Sequence, residues 1–284
     1  MKIIFGSGIF ILVLIVLLII SVKIGEARFN NMVDGEIKEI LNMSETEDTV
    51  KVEEDDIRDM PEPVKRWLKY SEVIGKQRVK TVRLKQEGRF KTSPDNSWMP
   101  YTAEQYYNAE NPAFVWKVKM KAGPGVFING RDKYYEGRGH MLIKLLSIFN
   151  VADARGTEMD QGTLLRFLNE IMWFPSAATY EYIEWEEIDN NSARAVINYG
   201  DLNASAVFYF NEKGEMIDFK ADRYMERDGK YSLEEWRTPI TDYDKIVGKN
   251  LATAGKGIWK LDSGDFNYIK LNITDIEYNI GSTY

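Results

Sequence analysis

Twenty uncharged residues, Ile3 to Val22, stand almost at the start of the chain, and twelve in succession, Ile9 to Ile20, are Ile, Leu, Val or Phe. At 1.5 Å per residue, a helix of this length crosses the roughly 30 Å hydrocarbon core of a bilayer. A cleaved signal peptide has a shorter apolar stretch, about 7–15 residues, followed by a small-x-small site. The only such triplet here is Gly25-Glu26-Ala27, with a charge in its middle and Lys23 just ahead. Residues 1–25 are therefore expected to be an uncleaved single-pass anchor, with residues 3–22 in the membrane. Basic residues do not decide its orientation, because Lys2 precedes the helix while Lys23, Arg28 and Lys38 follow it. A short N-terminus before a long apolar helix behaves as a signal-anchor, so the rest of the chain is expected outside the cytoplasm.

The net charge of −7 is unevenly placed. Residues 26–62 hold thirteen Asp/Glu and four Lys/Arg, whereas residues 63–284 are neutral overall. A neutral domain lacks the clustered positive charge that phosphate backbones require, so nucleic acid is not an expected partner. Residues 26–58 are expected to form an acidic tether, with Glu45 to Asp56 kept extended by self-repulsion. Ile37, Ile40 and Leu41 give only a weak helical pattern inside it. Glu53-Glu54-Asp55-Asp56 lacks the alternate spacing and the glycine of an EF-hand loop.

A soluble domain is expected over residues 59–284. Asp59 is the expected cap of a short helix in which Pro61 suits the first turn and Val64, Trp67 and Leu68 share a face. From Arg78 the period changes to two. Val82, Leu84, Gln86, Gly88 and Phe90 alternate with Arg83, Lys85, Glu87 and Arg89, which marks a sheet buried on one side. Phe114, Trp116, Val118 and Met120 alternate in the same way with three lysines. Val126–Asn129 and Lys133–Glu136 read as a hairpin turning at Gly130-Arg131-Asp132. Further strands are expected at 193–199, 204–210, 216–223, 231–238, 258–261 and 267–278. One helix, Asp160 to Trp173, interrupts them, capped by Asp160 and stopped by Pro175. Neighbouring strands joined by short turns give an antiparallel sheet. The expected fold is α+β: a large curved antiparallel sheet, half-barrel-like, with a few covering helices and one transmembrane helix ahead of it.

The chain has no cysteine and one histidine. Thiolate chemistry, disulfides and any zinc site with two imidazoles are thereby excluded, and no metal is expected. His140 has no Ser or Cys signature near it and reads as a hydrogen-bonded structural residue. The glycines and lysines of 248–257 have the wrong spacing for a phosphate loop, and no cofactor is expected. Glu158, Asp160 and Glu170 are candidate acid–base carboxylates, although Arg166 stands four residues before Glu170, where an ion pair explains both. The 16 Tyr, 13 Phe and 7 Trp supply core or groove walls. Trp116, Trp173, Phe208 and Tyr224 are the candidate wall of a ligand groove, and the Asp160–Trp173 helix its lid.

Pro61-Glu62-Pro63-Val64-Lys65-Arg66-Trp67-Leu68, Gln86-Glu87-Gly88-Arg89-Phe90, Arg166 through Trp173-Phe174-Pro175, and Gly264-Asp265-Phe266-Asn267-Tyr268 through Tyr278 together resemble a family of bacterial and archaeal membrane-anchored proteins known only as a domain of unknown function. The Trp-Phe-Pro stop after the helix is the most specific of these pieces. The resemblance implies no activity. In architecture the expected half-barrel is similar to that of periplasmic lipoprotein carriers of the LolA type.

Three functions are compatible with these features. The first is a membrane-tethered module that binds a lipid or other apolar ligand without catalysis. The second is a carboxylate-using hydrolase, which needs at least two of Glu158, Asp160 and Glu170 in one cleft. The third is a protein-interaction domain of the cell envelope, which needs a large exposed apolar patch.

Overall fold

A computed structural model of the chain describes residues 2–42, 50–227 and 229–284, with side chains in the first helix from Ile9 onward. Three α-helices are present among these residues: α1 (Lys2–Leu41), α2 (Glu62–Tyr70) and α3 (Thr157–Glu170). The strands are β1 (Thr81–Phe90), β2 (Met99–Asn108), β3 (Ala113–Gly123), β4 (Val126–Tyr135), β5 (Arg138–Leu145), β6 (Phe149–Ala154), β7 (Ile183–Asp189), β8 (Ser192–Tyr199), β9 (Leu202–Phe210), β10 (Met216–Arg227), β11 (Lys230–Arg237), β12 (Ile240–Ile246), β13 (Lys249–Leu261) and β14 (Gly264–Tyr278). All belong to one curved antiparallel sheet, ordered β6-β5-β4-β3-β2-β1-β14-β13-β11-β10-β9-β8-β7, with β12 attached to β13. The architecture is the expected α+β half-barrel. Two bulges of β14, Thr274 opposite Lys85/Gln86 of β1 and Tyr268 opposite Gly257/Ile258 of β13, break the ladder, and such interruptions bend a sheet.

The strand order gives α3 its place. β6 and β7 are the two outer strands, so the chain between them must cross from one rim of the trough to the other. α3 and two 3-10 turns, Ile171–Trp173 and Pro175–Thr179, make that crossing over the concave face. Leu164, Leu165, Phe167, Leu168 and Ile171 are buried there against the inward residues of both halves of the sheet. α2 adds Val64, Trp67 and Leu68 to the same core.

The outer face carries α1. Its first part, Ile9 to Ile20, is uncovered, each side chain 46–64% exposed. Without a break the helix then runs onto the sheet, where Phe29, Val33, Ile37, Ile40 and Leu41 bury against Tyr106, Ala113, Val115 and Leu142. β3 therefore serves two cores by alternation: Phe114, Trp116 and Val118 face α3, and Ala113 and Val115 face α1. Four carboxylates of α1 meet cations of the sheet. Glu26 pairs with Lys119 at 2.5 Å, Asp34 with Lys117 at 3.0 Å, Glu36 with Arg131 at 3.0 Å and Glu39 with Lys133 at 3.1 Å. Asn108 Nδ2 donates to the Ile40 carbonyl at 2.9 Å. The end of the sheet that holds Lys119 thus lies beside the start of the packed part of α1, and the end that holds Asn108 lies beside its finish.

Several local expectations are corrected. Residues 26–41, expected as part of an acidic tether with only a weak helical pattern, are helical and packed; Glu45 to Thr49 of the expected spacer lie outside the described residues. Lys51 bridges Gln77, and Glu54–Ile57 form a 3-10 turn. Gly130-Arg131-Asp132 is not a turn but the middle of β4, because the charge of Arg131 is met by Glu36 across the sheet face. Pro61, not Asp59, caps α2, and Gly156, not Asp160, caps α3. The segment 249–257, rejected as a phosphate loop and assigned to no strand, is the first part of β13. β2, β5, β6, β7 and β12 had no clear alternation.

Candidate functional site

Between α3 and the concave face of β1, β3, β13 and β14 the residues do not close on one another. They leave a cavity of about 220 Å³. Most of its wall is apolar, including Phe90, Met120, Ile143, Met172 and Ile269. The register pairs Phe90 with both Met99 and Ile269, and Met120 with Tyr101. These residues therefore lie at the end of the sheet beside Lys119 and Glu26, where α1 leaves its uncovered part.

One side of the cavity is polar, and each polar group there follows from strand alternation or helix spacing. Gln86 and Gln105 occupy inward positions of β1 and β2 that would otherwise be apolar, and both are buried. Trp116 Nε1 donates to Gln86 Oε1 at 3.0 Å, Gln86 Nε2 to Gln105 Oε1 at 3.1 Å, and Gln105 Nε2 to Glu170 Oε2 at 2.7 Å. Tyr107 OH donates to the same Glu170 oxygen at 2.9 Å. Arg166, one turn before Glu170 on α3, donates from Nε to Glu170 Oε1 at 2.8 Å and from Nη1 to Asp132 Oδ2 at 2.6 Å. Its guanidinium also lies over the rings of Trp116 and Phe114, 4.8 and 5.1 Å from their centroids. Such a network is stable only when its members are all partnered, and the Gln86–Gln105–Glu170–Arg166–Asp132 chain meets that condition. Burial opposes the charge of Arg166, but Glu170 and Asp132 outweigh it and hold the group above the usual guanidinium range. Burial, helped by Glu170, pushes the Tyr107 hydroxyl well up, so it stays a donor.

A second arginine, Arg223 of β10, enters the same cavity. Its Nε donates to the Gly162 carbonyl at 3.1 Å, and its guanidinium lies 4.5 Å from the Trp236 centroid and 5.6 Å from that of Trp259. Burial lowers its pKa.

The residues singled out from the sequence separate here. Trp116 and Trp173, 5% and 3% exposed, line the cavity. Phe208 does not. It is fully buried in the core beneath α2, with its ring centroid 5.0 Å from those of Trp185 and Phe219. Tyr224 is 37% exposed and faces away from the cavity, because alternation along β10 turns Arg223 inward instead. The helix expected as a lid contributes Arg166, Asn169 and Glu170 to the cavity, but it is also part of the main core.

The three candidate carboxylates do not converge. Glu170 is in the cavity, whereas Asp160 lies almost three turns away on the same helix. Asp160 Oδ1 accepts from the Gly139 amide at 2.6 Å, and its Oδ2 from Arg138 at 3.1 Å. Glu158 is not on the cavity wall. The carboxylate that shares the site with Glu170 is Asp132, and Arg166 ties the two together as an ion-pair cluster. His140 accepts at Nδ1 from Arg131 Nη2 at 2.8 Å, which puts its proton on Nε2, facing Asp153 Oδ1 at 2.7 Å. It is a hydrogen-bonded part of β5 away from the cavity. Among the described residues, no cluster of three or more Asp, Glu or His is placed to hold a metal ion.

Gln86, Gln105 and Arg223 were missed in the sequence. Gln86 sits on the alternating inward face of β1, and a polar residue at an inward position was the available signal.

In fold the chain is similar to a LolA-superfamily protein from Nitrosomonas europaea, at 10% identity and a TM-score of 0.42, over 77% of this chain and 92% of that one. It is also similar to a DUF1329-family protein from Desulfovibrio piger, at 8% identity and a TM-score of 0.43, over 79% of this chain and 95% of the other. No curated protein matches it in sequence. Residues 50–271 match the family of unknown function DUF6544, and the chain belongs to that family.

Proposed function

We propose that this protein is a membrane-tethered binding module, with an extracytoplasmic domain that holds a lipid or other apolar ligand in the concave cavity without changing it chemically. The observation that carries this reading is the cavity itself. In a sheet with enough large side chains to fill its trough, about 220 Å³ is left open behind Trp116 and Trp173. That volume is below the roughly 300–1,000 Å³ of drug-sized sites, so it suits one acyl chain or ring system rather than a whole two-chain lipid.

The uncovered apolar stretch of α1 supports the tether, since its exposed Ile, Leu, Val and Phe side chains have no protein partner among the described residues. The three hydrogen bonds accepted by Glu170 and the shared Arg166 that ties it to Asp132 argue for a structural cluster over an acid–base pair.

The test is native mass spectrometry of the full chain, extracted from its own membrane in lipid nanodiscs, with lipid extraction of the same sample. A stoichiometric small apolar molecule, lost when Trp173 is replaced by Ala, is the expected result. A clean apo mass, together with no uptake of a fluorescent acyl probe, would overturn the reading.

A further inference from the structure

We infer that the ligand is a single-chain amphiphile with an anionic head, a carboxylate or a phosphate monoester, and that Arg223 with Tyr268 holds that head. This deepens the binding reading and rests on it.

Arg223 is surrounded by protein yet keeps accessible surface, so the surface it keeps opens into the cavity it lines. The two cavity arginines are treated differently by the fold. Arg166 is bracketed by two carboxylates, whose partnered oxygens face it. Arg223 has one carbonyl on Nε and two indole faces, and makes no ion pair among the described residues. Its terminal nitrogens make no hydrogen bond to the protein there. A guanidinium taken out of water and stacked on tryptophan keeps part of its stabilisation through the ring faces. The rest is recovered only from an acceptor, and the planar donor fork of arginine matches carboxylate and phosphate oxygens.

Tyr268 completes the arrangement. Its hydroxyl oxygen accepts from Trp236 Nε1 at 3.1 Å, which leaves its own proton to donate, and its ring is on the cavity wall. The backbone of β13 makes room for that ring. A Cβ on Gly257 would stand 2.6 Å from Tyr268 Cε1, closer than side chains tolerate. Arg166 is paired with both carboxylates of the wall, Glu170 and Asp132, which leaves Arg223 as the inward-facing cation without an ion pair among the described residues. An anionic head supplies the missing partner of Arg223, and the apolar wall receives the chain.

The experiment uses the full chain in nanodiscs of zwitterionic lipid. The probes are a long-chain fatty acid, a single-chain phosphate monoester and the fatty alcohol of equal length, each competing with a fluorescent acyl probe. We expect at least tenfold tighter binding of one or both anions than of the alcohol. Arg223→Gln is expected to bring anion and alcohol within twofold of each other. Arg223→Lys is expected to keep part of the preference, and Tyr268→Phe to weaken the anion alone. The carboxylate and phosphate arms tell which head is preferred. Equal binding of anions and alcohol by the native protein would overturn the head-group assignment and leave the binding module standing. Failure of all three to compete would overturn the module itself. The native comparison decides the matter even if the Arg223 variants do not fold.

Discussion

Arg131 Nε lies 3.0 Å from Glu36 Oε2, and this contact joins the middle of β4 to α1. The N–H is not aimed at the oxygen, and neither atom has a hydrogen-bond partner, so the attraction is purely ionic. Burial pushes the Glu36 carboxyl up and the Arg131 guanidinium down, each opposed by the charge of the other. Removing one member of a buried pair leaves the other uncompensated. Glu36→Ala is therefore expected to cost roughly 2–3 kcal/mol, under the figure for a fully buried pair, because Glu36 keeps some contact with water. Urea unfolding checks this. Replacing both residues by Met should recover most of the loss; if the double variant is as unstable as the single one, the pair is not the cause.

Phe208 and Tyr224 lie outside the cavity for opposite reasons, and their substitutions should differ accordingly. Phe208→Ala empties a buried site ringed by Trp67, Trp185 and Phe219, an expected loss of about 3–5 kcal/mol. Tyr224→Ala changes an exposed strand position and should stay within about 0.5 kcal/mol. Thermal unfolding separates the two, and neither should alter acyl-probe affinity in protein that remains folded.

His140 predicts a pH dependence. Burial holds its imidazole below the usual range, with Arg131 and Arg155 adding to that and Asp153 opposing it. The unfolded chain therefore binds the proton more readily than the folded one. Its contribution is complete above the unfolded value of about 6.5 and is lost as pH falls below it. Unfolding midpoints compared at pH 7.5 and 5.5 should drop more steeply for the native chain than for His140→Gln. Equal slopes would mean that other groups carry the change.

The hairpin tips next to α1 should touch the bilayer. A Cβ on Gly25 would meet the Ser147 carbonyl oxygen at 2.8 Å, so the β5–β6 turn lies against the helix there. Gly25 is only about 5 Å along the axis from Val22, the end of the apolar run. Phe149 and Val151 beyond that turn are 56% and 60% exposed. An environment-sensitive label at position 149 is expected to be quenched by nitroxide-bearing lipid. A label at Val247, in the turn before β13 at the opposite end of the sheet, should not be. Equal quenching at both would rule out this orientation.

The alternation of Val82 to Phe90 and of Phe114 to Met120 made the sheet legible, since one face of each strand is buried and the other charged. Other elements were hidden by their partners. Lys117 and Lys119 read as solvent-facing and residues 26–58 as an acidic tether, yet Glu26 and Asp34 of that stretch are the counter-ions of the two lysines across the α1–β3 contact. Neither reading alone holds that information. Arg131 had the same effect on β4: a charge in mid-strand looked like a turn because its partner is nearly a hundred residues away. In the cavity, Trp116 and Trp173 could be picked out as large aromatics near a helix, whereas Arg223 could not, because strand parity on β10 had no apolar run to fix it. Tyr224 was chosen one position away from the residue that turns inward.

The unbroken course of α1 limits what this molecule can do with a cargo. From Val22 to Leu41 the helix runs roughly 30 Å beyond the apolar run, and the sheet is clamped along it by four carboxylates and five buried side chains. A pillar of this kind does not swing as a leash would. With the helix seated in a bilayer, the cavity would stay at one height above one leaflet, with the Phe90 and Met120 end of its wall closest to it. A freely diffusing carrier ferries its load across an aqueous gap. Under the tethered-module reading proposed above, this one would be a fixed station, and whatever it took up would have to arrive from the membrane beneath it or be handed over by a visitor.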